Sequence, residues 1–202
     1  AADKGGTFLE RTRFYELLDA CPVIAAAKNE ESLRHSLDAD CRVVFVLYGN
    51  VANIPDIVAR IDEAGKTPVV HIDLVDGLAA REPAVDYIRL RTAAAGIIST
   101  KGVLLKRARE VGLIAIQRFF LLDSMALTNI EKQVKANQPD LIEVIPGAMP
   151  KVIRGLAQGL ALPVIAGGLI RDREDAENAL HAGAKAISCS SAEFLSHFSS
   201  HS

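Results

Sequence analysis

Two stretches near the end of the chain carry the makings of an anion site. Residues 163–171 (PVIAGGLIR) form an apolar run that breaks into Gly167 and Gly168, and residues 186–191 (AISCSS) end in Ser190 and Ser191. Paired glycines after one strand let the main chain approach an anion closely, and hydroxyls after the next add donors. Amides opening a following helix then point at the anion with a favourable dipole. Further polar residues stand at the ends of other apolar runs. Lys28, Lys101 and Arg118 would match an anionic ligand, and the carboxylates of Asp73 and Glu143 would accept hydrogen bonds from hydroxyl groups. Together they describe a site for a small polyol phosphate. A lysine with two carboxylates also suffices for Schiff-base or proton-transfer chemistry, so spacing alone leaves a binder and a phosphosugar lyase, aldolase or isomerase both open.

The elements that must position these residues are legible as a repeat. Short apolar, often β-branched runs occur at 22–28, 43–49, 68–74, 96–100, 113–120, 141–147, 163–170 and 186–190, and helical apolar spacing follows each. Ile54, Ile57, Val58 and Ile61 form one such stripe; Ala176, Ala179 and Leu180 form another. Asn29, Asp123 and Asp172 stand where helix N-caps belong, and Gly65, Gly112 and Gly183 where left-handed helix ends belong. Eight strand–helix units imply a parallel sheet, and eight equal units are better satisfied by closure than by an open doubly wound sheet of about five or six strands. The expected architecture is α/β, a single small (β/α)8 TIM-type barrel over 8–198, with 1–7 and 199–202 as loose termini. Its function would lie at the C-terminal strand ends, and a phosphate cup would follow strands seven and eight.

Each candidate also has a plainer reading. Lys28 and Lys101 could be solvated strand-end lysines. His71 shares a parity with Asp73, which puts both on one face of the third strand; it is either a satisfied core histidine or part of the mouth. Glu143 lies between apolar neighbours in a strand covered on both faces, so it needs a partner: an ion pair with Lys101 or Lys28, or, as favoured here, a ligand. Gly167 and Gly168 could simply permit tight packing, but the serines after strand eight favour a phosphate.

Composition narrows the classes. The 202 residues are 50% hydrophobic, and 23 Lys and Arg stand against 25 Asp and Glu, a net charge of −2. That excludes a grossly basic nucleic-acid binder and leaves room for a local patch. The best patch is Lys106, Arg107 and Arg109, with Lys132 and Lys135 on the next helix, although a solvated helix face is the favoured reading of them. Three cysteines at no metal-like spacing read as reduced thiols of a cytoplasmic protein, with no metal and no cofactor expected. No apolar run approaches the roughly 20 residues of a membrane span, and no signal-peptide pattern is visible. Walker A, GxSxG, CxxC and HExxH motifs are missing, as are tryptophan and an aromatic RNA-binding signature.

Six blocks carry a resemblance: PVIAAAK at 22–28, HIDLVDG at 71–77, GIISTK at 96–101, AIQRFFLLDS at 115–124, IEVIPG at 142–147 and AGGLIR at 166–171. In order and over nearly the whole chain, they resemble the glycerol uptake operon antiterminator regulatory proteins, the glycerol-3-phosphate-responsive antiterminators of bacteria. QRFFLLDS is the specific block; AGGL recurs in many phosphate-binding barrels. The resemblance implies a non-catalytic barrel with glycerol 3-phosphate as effector. The bound form would act on an mRNA leader so that transcription of glycerol-metabolism genes passes a terminator. It places the mouth positions on Lys28, Asp73, Lys101, Arg118, Glu143, Gly167, Gly168 and Ser190. Ordering of the loop over 76–83 or a change in homodimerisation would be the route from ligand to RNA.

Overall fold

The computed structural model describes residues 4–198, with side chains over 10–196. Eight parallel strands close into a barrel in chain order: β1 (Val23–Ala27), β2 (Val43–Val46), β3 (Thr67–His71), β4 (Gly96–Ser99), β5 (Ile114–Phe120), β6 (Leu141–Ile145), β7 (Val164–Gly167) and β8 (Ala186–Cys189). β8 pairs back onto β1, with Ile24 opposite Ser188, so no sheet edge is left open. Outside lie α2 (Glu30–Asp38), α3 (Ile54–Glu63), α4 (Glu82–Arg91), α5 (Gly102–Glu110), α6 (Ser124–Asn137), α7 (Pro150–Gly159), α8 (Arg173–His181) and α9 (Ala192–Phe198). α1 (Lys4–Ala20) precedes β1.

Period-two alternation divides the apolar residues between two cores. Ile24, Ala26, Phe45, Val69, Ile98, Ile116, Leu141, Ile165 and Ala186 fill the barrel interior. Their neighbours Ala25, Val44, Val70, Ile97, Ala115, Ile142, Ala166 and Ile187 meet the helices. α1 supplies the floor: Phe14 and Leu18 are buried within the interior cluster. Tyr15 donates its hydroxyl to the Asp140 carbonyl at 3.1 Å, and Arg11 reaches the Asp140 carboxylate at 2.9 Å.

The expected repeat is the observed one. Asn29, Asp123 and Asp172 accept from backbone amides of the first turns of α2, α6 and α8, and Gly65, Gly112 and Gly183 have positive φ. One boundary differs. The third strand stops at His71, and Asp73 sits in a 3-10 turn, Ile72–Leu74, rather than on the strand face shared with His71. The Asp73 carboxylate is gripped there by Ser99 and Thr100 at and just past the end of β4, as described below. Of the expected loose termini, residues 4–7 open α1; 1–3 and 199–202 lie outside the described residues.

Candidate functional site at the barrel mouth

The interior face changes from apolar to polar one layer below the C-terminal rim. His71, Arg118, Glu143 and Ser188 continue the interior parity of Val69, Ile116, Leu141 and Ala186, and all four are buried. Register brings Arg118 opposite Glu143 and Gly167 opposite Ser188. Arg118 Nε donates to Glu143 Oε2 at 2.7 Å, and Ser188 Oγ donates to Glu143 Oε1 at 2.7 Å. The partner of Glu143 is thus its neighbour on β5, not Lys28 or Lys101. A buried ion pair needs its remaining lone pairs satisfied to hold its place, and Ser188 does this.

Gly167 makes that cluster possible. A Cβ there would lie 2.5 Å from Ser188 Oγ and 2.6 Å from Glu143 Oε1. The hydroxyl and the carboxylate occupy the volume that any other residue would claim. Gly168 follows with φ +68°, and its Cβ would meet Ile145 Cγ2 at 2.8 Å. Ser190 follows the end of the adjacent β8, as Gly168 follows the end of β7. Ser191 instead caps α9, its Oγ accepting from Phe194 N at 3.2 Å.

Asp73 forms a second polar cluster. It accepts from Ser99 Oγ at 2.7 Å and from Thr100 N and Oγ1 at 2.8 and 2.9 Å, with Lys101 Nζ at 3.9 Å. Burial pushes this carboxyl upward, but the hydrogen bonds from Thr100 and Ser99 outweigh it and hold the pKa below the ordinary aspartate value. Asp73 is therefore an anion that fixes the β4 end and steadies Lys101.

Three cationic groups remain available. The Arg118 Nη groups make no hydrogen bond among the described residues, and Arg118 lines a cavity of about 270 Å³ with Thr100, Phe119, Phe120, Ala126, Asn129 and Gln133. Lys101 is half exposed, and Lys28 is exposed at the end of β1. A larger cavity of about 300 Å³ lies at the opposite end beside α1, lined by Phe14, Leu17, Pro68 and Ala94 among others. It is remote from the polar layer, so the mouth is the candidate site.

The remaining candidates are dispersed. Arg107 is held by Asp86 at 2.8 Å and Glu110 at 3.0 Å, and Arg109 is held by Gln138 at 3.3 Å and lies 3.7 Å from Asp140. Of the basic trio on α5, Lys106 alone is without an ion pair among the described residues. Among the described residues no group of three or more His, Cys, Asp or Glu side chains could hold a metal ion. Sequence reasoning missed Ser188 and Thr100, and it passed over Phe120, Asn129 and Gln133. Ser188 was recoverable, since it shares the parity of Ala186 and the interior face of Ser190; the helix residues had no such signal.

Residues 23–195 match the family described as Glycerol-3-phosphate responsive antiterminator. The protein YgcP of Escherichia coli is 46% identical over 172 residues, covering 85% of this chain and 90% of that protein. The solved glycerol uptake operon antiterminator regulatory protein of Listeria monocytogenes is 34% identical, with a TM-score of 0.81 over 85% of this chain and 92% of that one. A glycerol uptake operon antiterminator-related protein of Thermotoga maritima is 33% identical, with a TM-score of 0.77 over 86% and 97%. Deoxyribose phosphate aldolase from Aeropyrum pernix shares the fold alone, at 18% identity and a TM-score of 0.68 over 99% of each chain. With its eight-stranded barrel and the match over nearly all of it, this chain belongs to the glycerol-3-phosphate responsive antiterminator family.

Proposed function

We propose that the barrel mouth binds glycerol 3-phosphate and that the bound form engages an mRNA leader, letting transcription of glycerol-metabolism genes pass a terminator. The observation that carries the ligand half is Arg118. Its Nε is spent on Glu143, its Nη groups have no partner among the described residues, and the residue lines the cavity, so the free part of a planar guanidinium is left for an anion such as phosphate. Lys101 and Lys28 add positive charge at the rim, and the backbone at Gly168 with the Ser190 hydroxyl completes the anion's surroundings. Glu143 acts through Arg118, and Asp73 through Lys101. No metal or cofactor enters this reading. The RNA half follows the family description and the name of the Listeria protein. A cytoplasmic location goes with RNA binding, and among the described residues no helix is long and apolar enough to cross a membrane.

The enzyme reading asks for a lysine desolvated enough to form a Schiff base. The interior layer holds an arginine instead, and both rim lysines face water. We therefore read the chain as a regulator. Its test is a thermal-shift series with glycerol 3-phosphate, glycerol and inorganic phosphate, followed by borohydride treatment with a triose phosphate. At a ligand concentration of about 100 Kd the stabilisation is about 2.7 kcal/mol, a rise of several degrees with glycerol 3-phosphate alone. Equal shifts with phosphate, or a covalent adduct on Lys28 or Lys101, would overturn the reading.

A further inference from the structure

In the polar layer His71 stands apart from its neighbours. Arg118 and Ser188 both donate to Glu143, whereas the Nδ1 of His71 is shielded from water and has no hydrogen-bond partner among the described residues. The residue is 3% exposed. Orphaned buried polar atoms are rare in native proteins, and each calls for an explanation. His71 ends β3 on the interior face, beside the turn that carries Asp73, with Arg118 and Lys101 as its cationic neighbours. Burial, aided by the Arg118 charge, drives its pKa down to about 4, so the ring is neutral at physiological pH. A neutral imidazole presents one donor and one acceptor. A phosphate can only accept, while a hydroxyl both donates and accepts. The ring's acceptor nitrogen needs a donor, which a hydroxyl supplies and a phosphate dianion does not, so a hydroxyl suits the ring while Arg118 and the rim lysines take the phosphate.

We propose that His71 is the specificity-determining residue of the mouth: its ring hydrogen-bonds a carbon-borne hydroxyl of the bound phosphate ester and so separates a polyol phosphate from a simple alkyl phosphate. This rests on the ligand reading given above. The test is calorimetric titration of wild type, His71→Leu and His71→Asn with glycerol 3-phosphate and with propyl phosphate, which lacks both hydroxyls. Wild type should prefer glycerol 3-phosphate by at least tenfold. His71→Leu should erase that preference while binding propyl phosphate within about twofold of wild type, and His71→Asn, which keeps a polar atom near Nδ1, should restore part of it. A folded His71→Leu or His71→Asn protein that retains the full wild-type preference overturns the role of His71. If wild type itself binds both esters equally, no hydroxyl is read and the inference fails. If wild type binds neither, the ligand reading itself has failed, and the inference falls with it. Should His71→Leu not fold, the wild-type and His71→Asn ratios decide, because a purely structural histidine would leave the ratio unmoved.

Discussion

Both oxygens of Glu143 are occupied from within the protein, one by Arg118 and one by Ser188. A carboxylate placed mid-strand between apolar residues is legible as buried, but its partner is not, because the partner depends on strand register. The same holds for Asp73, whose three donors come from Ser99 at the end of β4 and from Thr100 just after it. His71 shows the reverse: its chemistry lies in a partner it lacks, and no sequence pattern records that. Its lowered pKa has a measurable consequence. The folded value of about 4 lies below the ordinary 6.5, so between these values the unfolded chain holds a proton that the native chain does not. Stability is therefore intact above pH 6.5 and is lost as pH falls towards 4. Between pH 7 and pH 5 the loss is about 2 kcal/mol from this one group. Urea unfolding at the two pH values should show a drop larger by that amount in wild type than in His71→Leu, with the other histidines cancelling. Parallel behaviour of the two proteins would mean that His71 titrates normally. The facing charges that set the shift are Arg118 and Lys101, which lower it, and Asp73, which raises it.

At the scale of elements, β7 shows how a strand is shaped by what stands next to it. It is a four-residue strand ending in Gly167, and β6 and β8 fill the gap left by the missing side chain with Glu143 and Ser188. Gly167→Ala should destabilise by about 1–3 kcal/mol, the usual range for forcing atoms into a filled site. Gly155 is the control, because it lies inside α7 with nothing within 4 Å of its would-be Cβ. Gly155→Ala should stabilise by up to about 1 kcal/mol through helix propensity alone. Paired denaturant melts check both, and equal effects would remove the close-approach argument for Gly167. Strands and helices were readable because apolar runs recur eight times, with caps at Asn29, Asp123 and Asp172 and glycine ends at Gly65, Gly112 and Gly183 marking boundaries. The 3-10 turn at Ile72–Leu74 was not, since HIDL reads as a continued strand until the grip of Thr100 and Ser99 on Asp73 is known. Gly167 and Gly168 were visible as a pair, but their local cause, two occupied volumes, needed neighbours from β6 and β8.

For the whole molecule, the proposed regulation is a coupling between the mouth and an RNA surface. Such coupling is reciprocal: if glycerol 3-phosphate tightens RNA binding tenfold, RNA must tighten glycerol 3-phosphate binding tenfold, about 1.4 kcal/mol in each direction. Titrating each ligand with and without the other measures both factors, and a factor of one in either direction breaks the regulator reading. The net charge of −2 gives no broad basic surface, so RNA contact by a local patch would have a salt dependence set by the few phosphates that patch meets. With Arg107 and Arg109 held in ion pairs and a hydrogen bond within the chain, Lys106 is the member of the α5 trio without an ion pair among the described residues. The closed barrel itself was legible from the strand count. The floor was not, because α1 has no strand before it and falls outside the eightfold repeat. Phe14 and Leu18 seal that end against the barrel interior. A small molecule at the mouth thus has one route in and the same route out. Anything that settles across the rim sets its residence time, and a docked partner would make ligand release slow without touching the ligand.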